Sequence, residues 1–272
     1  MKKFIIIFLF IAGQLSVALG QLSIHAGGGF QSLGYSLSEG SRSNGFGYSA
    51  GADYQYFFNE RWGVGIGAGI ASYAAEGELS GYSYSYGATD TDGDAYTMTV
   101  AAGRLKEKQR ALFAEIPITA RYRMPFGEKL SLWASAGVKI GFAARADYEL
   151  KEGNITTTGF YPQYQWTVSN RPEHGFYTDN LTGESVDLKL KTAISALLEA
   201  GISYRLNDRL QVFAGLYGCF GLNDINDEPQ NASGIIGTAG DVNSYHGLLA
   251  SGMTGAVRPI AIGLKAGISF TF

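Results

Sequence analysis

The sequence predicts an all-β fold in which eight antiparallel strands close into an up-and-down barrel. Apolar residues recur at every second position in eight segments, which is the period of a β-strand. Short and long connections alternate strictly between these segments. The chain is also rich in Gly (38), Tyr (17) and Phe (16) and poor in Pro (6), a composition that favours strands over helices.

The clearest strand is the last one, Arg258 to Phe272. Leu264 in its middle is flanked by Gly263 and Lys265, and apolar residues hold the even-numbered positions from Ile260 to Phe272. A weaker first strand begins at Leu22, where a run of glycines blurs the alternation. Six other segments alternate in the same way, at 46–58, 62–70, 112–123, 130–142, 194–205 and 210–220.

The two faces of these strands predict that the barrel crosses a membrane. One face carries Leu, Ile, Val and Phe without a charge between the strand ends, as contact with lipid requires. The other face is small or polar, and from Gly63 to Gly69 it consists of glycines, which suits the crowded interior of a small barrel. Strands of ~13 residues, at ~3.3 Å each and tilted by ~45°, span an apolar band of ~25 Å.

The connections fall into two groups by length. Transmembrane barrels have short periplasmic turns and longer extracellular loops, so this alternation predicts that both chain ends lie on the periplasmic side. The short turns are at 59–61, 127–129 and 207–208, and the long connections are at about 35–45, 75–110, 151–189 and 223–257.

The first twenty residues predict export. Lys2 and Lys3 precede the apolar run from Phe4 to Ala12, and small residues stand at Ala18 and Gly20. This is the pattern of a cleaved signal peptide, and its apolar run is too short for a transmembrane helix. We therefore predict a signal peptide over 1–20 and a single barrel domain over 21–272.

Aromatic residues cluster on the apolar face near the short turns. Such positions predict an aromatic belt at the membrane interface, where amphipathic rings sit at the level of the lipid headgroups. The belt residues are Tyr54, Tyr56, Trp62, Tyr122 and Tyr204.

The C-terminus carries a more specific pattern: a polar residue, a glycine and two alternating phenylalanines, the second of them terminal. These are Lys265, Gly267, Phe270 and Phe272. With this ending, the mature chain resembles the small OmpA-type and OmpX-type outer-membrane barrels, the porin-like outer membrane protein beta-barrel domains. The resemblance implies a bacterial outer-membrane location, contact with outer-membrane lipid, and recognition of the C-terminus by the barrel-insertion machinery. Unlike full OmpA-type proteins, this chain is expected to have no peptidoglycan-binding domain after the barrel.

Charged residues on the inner face predict a network of ion pairs in the lumen. Eight strands leave an interior that side chains just fill, and a buried charge without a partner costs several kcal/mol. A charge-lined path for ions is the alternative. The six residues are Asp53, Glu115, Arg121, Lys139, Glu199 and Lys265.

The long connections contain aromatic residues that are candidates for binding a partner. Tyr with Ser and Gly is typical of adaptable binding surfaces, although alternating tyrosines also fit a strand that continues above the membrane. The candidates are Tyr82, Tyr84, Tyr86, Tyr161, Tyr164 and Trp166.

Other functions find little support in the sequence. The carboxylates Asp90, Asp92 and Asp94 suggest calcium, but the glycine is misplaced for an EF-hand loop and the distal Glu is absent. We predict no metal, no cofactor and no enzyme activity, because the sequence shows no triad-like constellation and no His-Glu-x-x-His motif. A net charge of -3 argues against nucleic acid. The prediction is a non-catalytic outer-membrane barrel whose surface loops serve envelope structure, adhesion or surface binding; the alternative is a narrow porin-like channel.

Overall fold

The computed structural model describes residues 19–183, 185–228, 235–239 and 242–272. Eight long strands form its framework. Most of the predicted signal peptide lies outside the described residues, and the first strand begins at Leu19, two residues before the predicted mature start. The strands are β1 (Leu19–Gly34), β2 (Phe46–Phe57), β3 (Trp62–Thr89), β4 (Ala95–Phe126), β5 (Leu130–Tyr161), β6 (Ala193–Arg205), β7 (Leu210–Gly221) and β8 (Arg258–Thr271).

The eight strands form a closed antiparallel ring in chain order. Each strand pairs with the next, and β1 pairs with β8 from Gln21 opposite Thr271 to Gly34 opposite Arg258. The predicted fold, an eight-stranded up-and-down barrel, is confirmed. Closure leaves no unpaired edge around the ring, which a sheet in lipid requires because no water is present to satisfy the backbone.

The two ends of the barrel differ as the connection lengths predict. At one end, the turn end, three tight turns join the strands. At the other, the loop end, the long connections contain short strands that pair with β3, with β5 or with each other, and one turn of 3₁₀ helix. These elements are Ser41–Asn44, Trp166–Val168, Pro172–His174, Thr178–Asn180, Ser185–Asp187, Ile236–Ala239 and Val242–Tyr245. No helix among the described residues is long and apolar enough to cross a membrane.

The barrel places its apolar side chains outside and its polar side chains inside. Leu264 is 66% exposed, whereas its neighbour Lys265 is 6% exposed and points into the lumen. The interior is too narrow for side chains at every position. A Cβ atom added to Gly67 would lie 2.0 Å from Oδ1 of Asp53, so the glycine gives the carboxylate its space.

The structure corrects the predicted loops. The segment 75–110 is not a loop, because β3 runs to Thr89 and β4 begins at Ala95. Likewise the connection predicted from residue 151 begins only after Tyr161. These continuations of β3, β4 and β5 past the apolar rows (residues 74–89, 95–110 and 145–161) are called the extension below. Bulges at three places between β4 and β5 shift the alternation, and this concealed the strands in the sequence.

The polarity of the sheet inverts in the extension. Its outer face carries charged residues, among them Glu76, Glu78 and Lys106, which form ion pairs with one another or with neighbouring strands. Its inner face is mainly apolar, with Glu107 and Gln109 as buried polar exceptions, and it encloses a core that continues from the top of the lumen. The fully buried members include Leu79, Val100, Leu105, Ile155, Phe176 and Leu248. The barrel below thus has the architecture required in lipid, and the extension has the architecture required in water.

Candidate functional site: the lumen and the extension

The centre of the lumen contains a charge cluster built from three strands. Glu199 of β6 lies 2.6 Å from Nζ of Lys265 on β8 and 3.8 Å from a guanidinium nitrogen of Arg121 on β4. Ser135 donates a hydrogen bond of 2.8 Å to the second carboxylate oxygen of Glu199. The ring of Trp133 lies 4.5 Å from the Arg121 guanidinium carbon, a cation–π distance. These contacts cross the lumen and tie opposite walls together.

A second cluster lies nearer the loop end. Lys139 Nζ is 2.8 Å from a carboxylate oxygen of Glu115. Tyr73 donates a hydrogen bond of 2.9 Å to the other oxygen of Glu115 and accepts one of 3.1 Å from Lys139. Glu199 carries one negative charge against the two positive charges of Lys265 and Arg121, so the charges of the lumen balance only when Asp53 is counted with the two clusters.

Asp53 lies against a histidine that the sequence reasoning did not select. Its carboxylate lies 3.1 Å from Nδ1 of His25, rather than against Arg121 or Lys265. His25 occupies an inward position of β1, next to Ser23, which is directly opposite Asp53. Period two in β1 was the signal that could have placed His25 inside, but the run of glycines obscured it.

The space between these groups is small. A cavity of about 60 Å³ is lined by polar residues of the lumen, including His25, Asp53 and Glu115. This volume holds water molecules but no larger solute. Above it, buried apolar residues fill the barrel and lead into the core of the extension; they include Leu33, Phe113, Leu197 and Cys219.

The residues predicted for the turn-end belt and the C-terminal signal lie on the strands as follows. The rings of Trp62 and Tyr122 are 4.9 Å apart on the outer surface, and Tyr54 and Tyr204 are also exposed. Tyr56 is half-buried on the same outward-facing register of β2. In the C-terminal strand, Phe270 and Phe272 point outward, whereas Lys265 and Gly267 face the lumen.

The structure divides the six candidate loop residues into two groups. Tyr82 is buried, and Tyr84, Tyr86 and Tyr161 are half-buried against the core of the extension; the rings of Tyr84 and Tyr86 are 5.9 Å apart and nearly parallel. These four tyrosines pack within the extension. Tyr164 and Trp166, by contrast, are 62% and 68% exposed at the far end of the extension.

The far end of the extension, called the tip, combines aromatic rings with carboxylates. Tyr161 stacks on Tyr96 at 5.2 Å and donates a hydrogen bond to Asp90, and Tyr164 donates one of 2.9 Å to Asp94. The backbone amide of Asp94 is the main cause that lowers the pKa of Asp90, and the bond to Asp94 raises the pKa of Tyr164. The carboxylate of Asp90 therefore stays ionised, and the hydrogen bonds to Asp90 and Asp94 hold the two tyrosines in place.

A buried carboxyl group fastens the last long connection to the extension. Glu107 is fully buried and accepts hydrogen bonds from the Tyr245 hydroxyl (2.6 Å), the Leu248 amide (2.9 Å) and the Gln109 side chain (2.5 Å). Burial raises the pKa of Glu107. The sequence did not identify Glu107 as a functional candidate, because the charged residues around it suggested an exposed loop.

A closed ring of eight strands, a lipid-facing apolar band and a charge-balanced lumen define a small transmembrane β-barrel. The chain belongs to the outer membrane protein beta-barrel domain family, whose sequence profile matches residues 13–227. The family places the protein in the bacterial outer membrane. A comparison with curated proteins gives no match.

Solved structures that resemble the chain are small outer-membrane barrels. The N-terminal β-barrel domain of Pseudomonas aeruginosa OprF is 12% identical, with 94% of this chain and 97% of that chain covered and a TM-score of 0.36. Neisserial surface protein A is 12% identical, with 94% and 96% covered and a TM-score of 0.39. Ail, the attachment invasion locus protein of Yersinia pestis, in complex with the heparin analogue sucrose octasulfate, is 11% identical, with 93% and 99% covered and a TM-score of 0.31.

Proposed function

We propose that the protein is a non-catalytic, non-conducting anchor that presents the extension at the bacterial surface for binding an extracellular partner. The main support for this proposal is that the outer face of the sheet is apolar along the barrel and charged along the extension. A sheet with a charged exterior and an apolar core is built for water, so it stands above the lipid as a rigid platform rather than as a set of mobile loops. Its tip offers Tyr164 and Trp166, residue types that dominate binding energy at protein interfaces.

The proposed orientation places the extension outside the cell and both chain ends in the periplasm. The tight turns at the other end support this, since outer-membrane barrels keep their short connections on the periplasmic side. Labelling of intact cells tests it. With Cys219 replaced by Ala, a cysteine at Gly93 should react with a membrane-impermeant maleimide. A cysteine at Glu128 in a tight turn should react only after the outer membrane is permeabilised. The reverse result would refute the orientation.

The competing function is a narrow channel for small solutes or ions. Ion pairs cross the lumen, and apolar side chains fill it above them, which argues for a closed barrel. Planar bilayers distinguish the two functions. We expect the purified protein to give no step-like conductance above the leak of the bilayer, and reproducible conductance steps would favour the channel.

Binding at the tip is tested with the folded protein on intact cell surfaces. The double variant Tyr164→Ala/Trp166→Ala should lose binding while keeping the heat-modifiable gel mobility of a folded barrel. Val186→Ala, which removes an exposed apolar side chain at the base of the extension, is the matched control and should bind like the wild type. Equal binding by the wild type and both variants would show that the partner contacts a surface other than the tip.

A further inference from the structure

The outer face of the sheet changes from apolar to charged within two rows of cross-strand neighbours. The last apolar row contains Ile70, Ala114 and Phe142. Two positions nearer the loop end, Leu112 of β4 is paired with Arg145 of β5. The next outward-facing pair in the same direction is Arg110 with Asp147. The first cations therefore stand directly at the boundary of the lipid-facing band.

These first cations are poorly matched by carboxylates. Arg145 has a side chain that is 77% exposed, and its nearest carboxylate oxygen, on Asp147, is 3.6 Å away. Arg110 lies 3.9 Å from Asp147 and 3.4 Å from Glu149. Glu149 also pairs with Lys151 and stands opposite Lys108. Asp187 stands opposite Asp147, and Glu76, opposite Lys108, pairs with Lys106. Four cations thus stand among three carboxylates, which leaves an excess of one positive charge at this level.

The charged rows higher in the extension are different. Lys106 is 3.1 Å from Glu76, and Arg104 is 2.7 Å from Glu78 and 3.0 Å from Glu152. These contacts of 2.7–3.1 Å are shorter than the 3.4–3.9 Å contacts that Arg110 and Arg145 make with carboxylates. The excess of positive charge is therefore confined to the rows that adjoin the membrane.

A groove of about 460 Å³ lies on the outer face at the same level. Phe46 and Tyr48, 76% and 58% exposed, form its apolar part, and Lys108, Arg110 and Arg145 form its charged part. The groove is continuous with the lipid-facing surface of β2 to β4. An occupant with an apolar body and an anionic group at one end fits both parts.

We propose that this groove binds an anionic lipid of the membrane through a phosphate of its headgroup. Arg110 and Arg145 donate charge-assisted hydrogen bonds to the phosphate oxygens, for which the planar guanidinium is well suited, and Lys108 adds a third charge. The hydrocarbon chains lie against the aromatic part of the groove and the apolar rows below it. Asp147 and Glu149 limit the site to one phosphate group, since they neutralise part of the charge. The site depends on membrane insertion but not on which side the loop end faces.

Native mass spectrometry of the full chain, folded in mixed micelles with phosphatidylcholine and lipid A, tests the proposal. EDTA is present so that no divalent cation bridges a carboxylate to a phosphate. We expect the wild type to retain lipid A. Arg110→Gln/Arg145→Gln should weaken retention by ~10-fold or more, since each change removes charge-assisted hydrogen bonds to the phosphate. The charge-matched control Arg104→Gln/Lys106→Gln should retain lipid A like the wild type.

The other outcomes are also decisive. If both double variants lose lipid A equally, binding responds only to net charge, and the site is overturned. If both retain lipid A as the wild type does, the site is also overturned. Displacement of lipid A by inorganic phosphate would identify a site for free anions and overturn the assignment to a lipid. Heat-modifiable gel mobility shows that each variant is folded. If the double variant does not fold, Arg145→Gln alone carries the test, because its side chain is 77% exposed and its ion pair with Asp147 is long, at 3.6 Å.

Discussion

Glu199 and Lys265 meet across the lumen, with 2.6 Å between the carboxylate oxygen and the ammonium nitrogen, although their strands β6 and β8 are separated by β7. The contact therefore spans the interior rather than following one pair of neighbouring strands. Because both groups are almost fully buried, each depends on the other for compensation of its charge.

Removal of this carboxylate should destabilise the barrel. In Glu199→Ala, Lys265 and Arg121 remain buried without their counter-charge, and breaking a buried pair costs about 3–5 kcal/mol. Equilibrium unfolding in urea, with the protein inserted in lipid vesicles, measures the loss. Glu128→Ala in a solvent-exposed tight turn is the control and should change stability by less than about 0.5 kcal/mol.

The same pair predicts non-additivity. Glu199→Leu/Lys265→Met replaces the ions with apolar side chains of similar size, so it should be more stable than Glu199→Ala alone. If the double variant is as unstable as the sum of its single changes, the two residues do not form an energetic unit.

The attachment of the last long connection should weaken as pH rises. Burial raises the pKa of Glu107, and a carboxyl whose pKa is higher in the folded state contributes stability below its unfolded pKa that is lost as pH rises through its folded pKa. Hydrogen exchange at the Leu248 amide, which donates to this carboxyl, reports the attachment. After correction for intrinsic rates, its protection should fall from acid to neutral pH.

Glu107→Gln should remove that dependence, because the amide keeps an acceptor oxygen for Tyr245 and Leu248 but carries no charge to bury. The variant should show protection at Leu248 that is independent of pH over the same range. Protection in the wild type that increases with pH would show that the charged form is the one the fold favours.

The extension should unfold without loss of the barrel. Phe176 is 2% exposed, and its ring packs over Gly159. A Cβ atom added to Gly159 would lie 2.4 Å from the ring of Phe176. Phe176→Ala should destabilise the extension by about 3–5 kcal/mol, the usual range for a buried Phe. Protease sensitivity of β4 and β5 above the membrane should rise, while heat-modifiable mobility stays that of a folded barrel. Loss of both properties together would mean that the two parts fold as one unit.

The barrel could be predicted from the sequence because each membrane-spanning strand obeys one rule: apolar outside, small or polar inside. Trp62 to Ile70 follows it without exception. The extension could not be predicted in the same way, because its rule is the reverse. Glu76 and Lys108 are outward-facing strand residues. In the membrane-spanning part of the barrel the same face is apolar, so a charged residue on that face suggests that the strand has ended. The bulges between β4 and β5 then shift the alternation itself.

The sequence predicted that ion pairs fill the lumen, but it did not predict which residues pair with each other. Inward charges had to be compensated, and the alternation identified Glu115, Lys139 and Glu199. The partners depend on the stagger of eight strands, which a single sequence does not fix. For this reason the contact between Asp53 and His25, and the role of Tyr73 between Glu115 and Lys139, became evident only in the structure.

Depth-resolved fluorescence quenching tests the central claim, that the outer face is in lipid along the barrel and in water along the extension. With Cys219 replaced by Ala, single cysteines at outward positions of β3 carry an environment-sensitive dye. Brominated lipids should quench the dye at Val64, Ile66 and Ile70 but not at Glu76 or Ser80, where aqueous iodide should quench instead. In β8, lipid should quench the dye at Ile262 but not at its neighbour Ala261. Lipid quenching at Glu76 and Ser80, or equal quenching at the two β8 positions, would contradict the account.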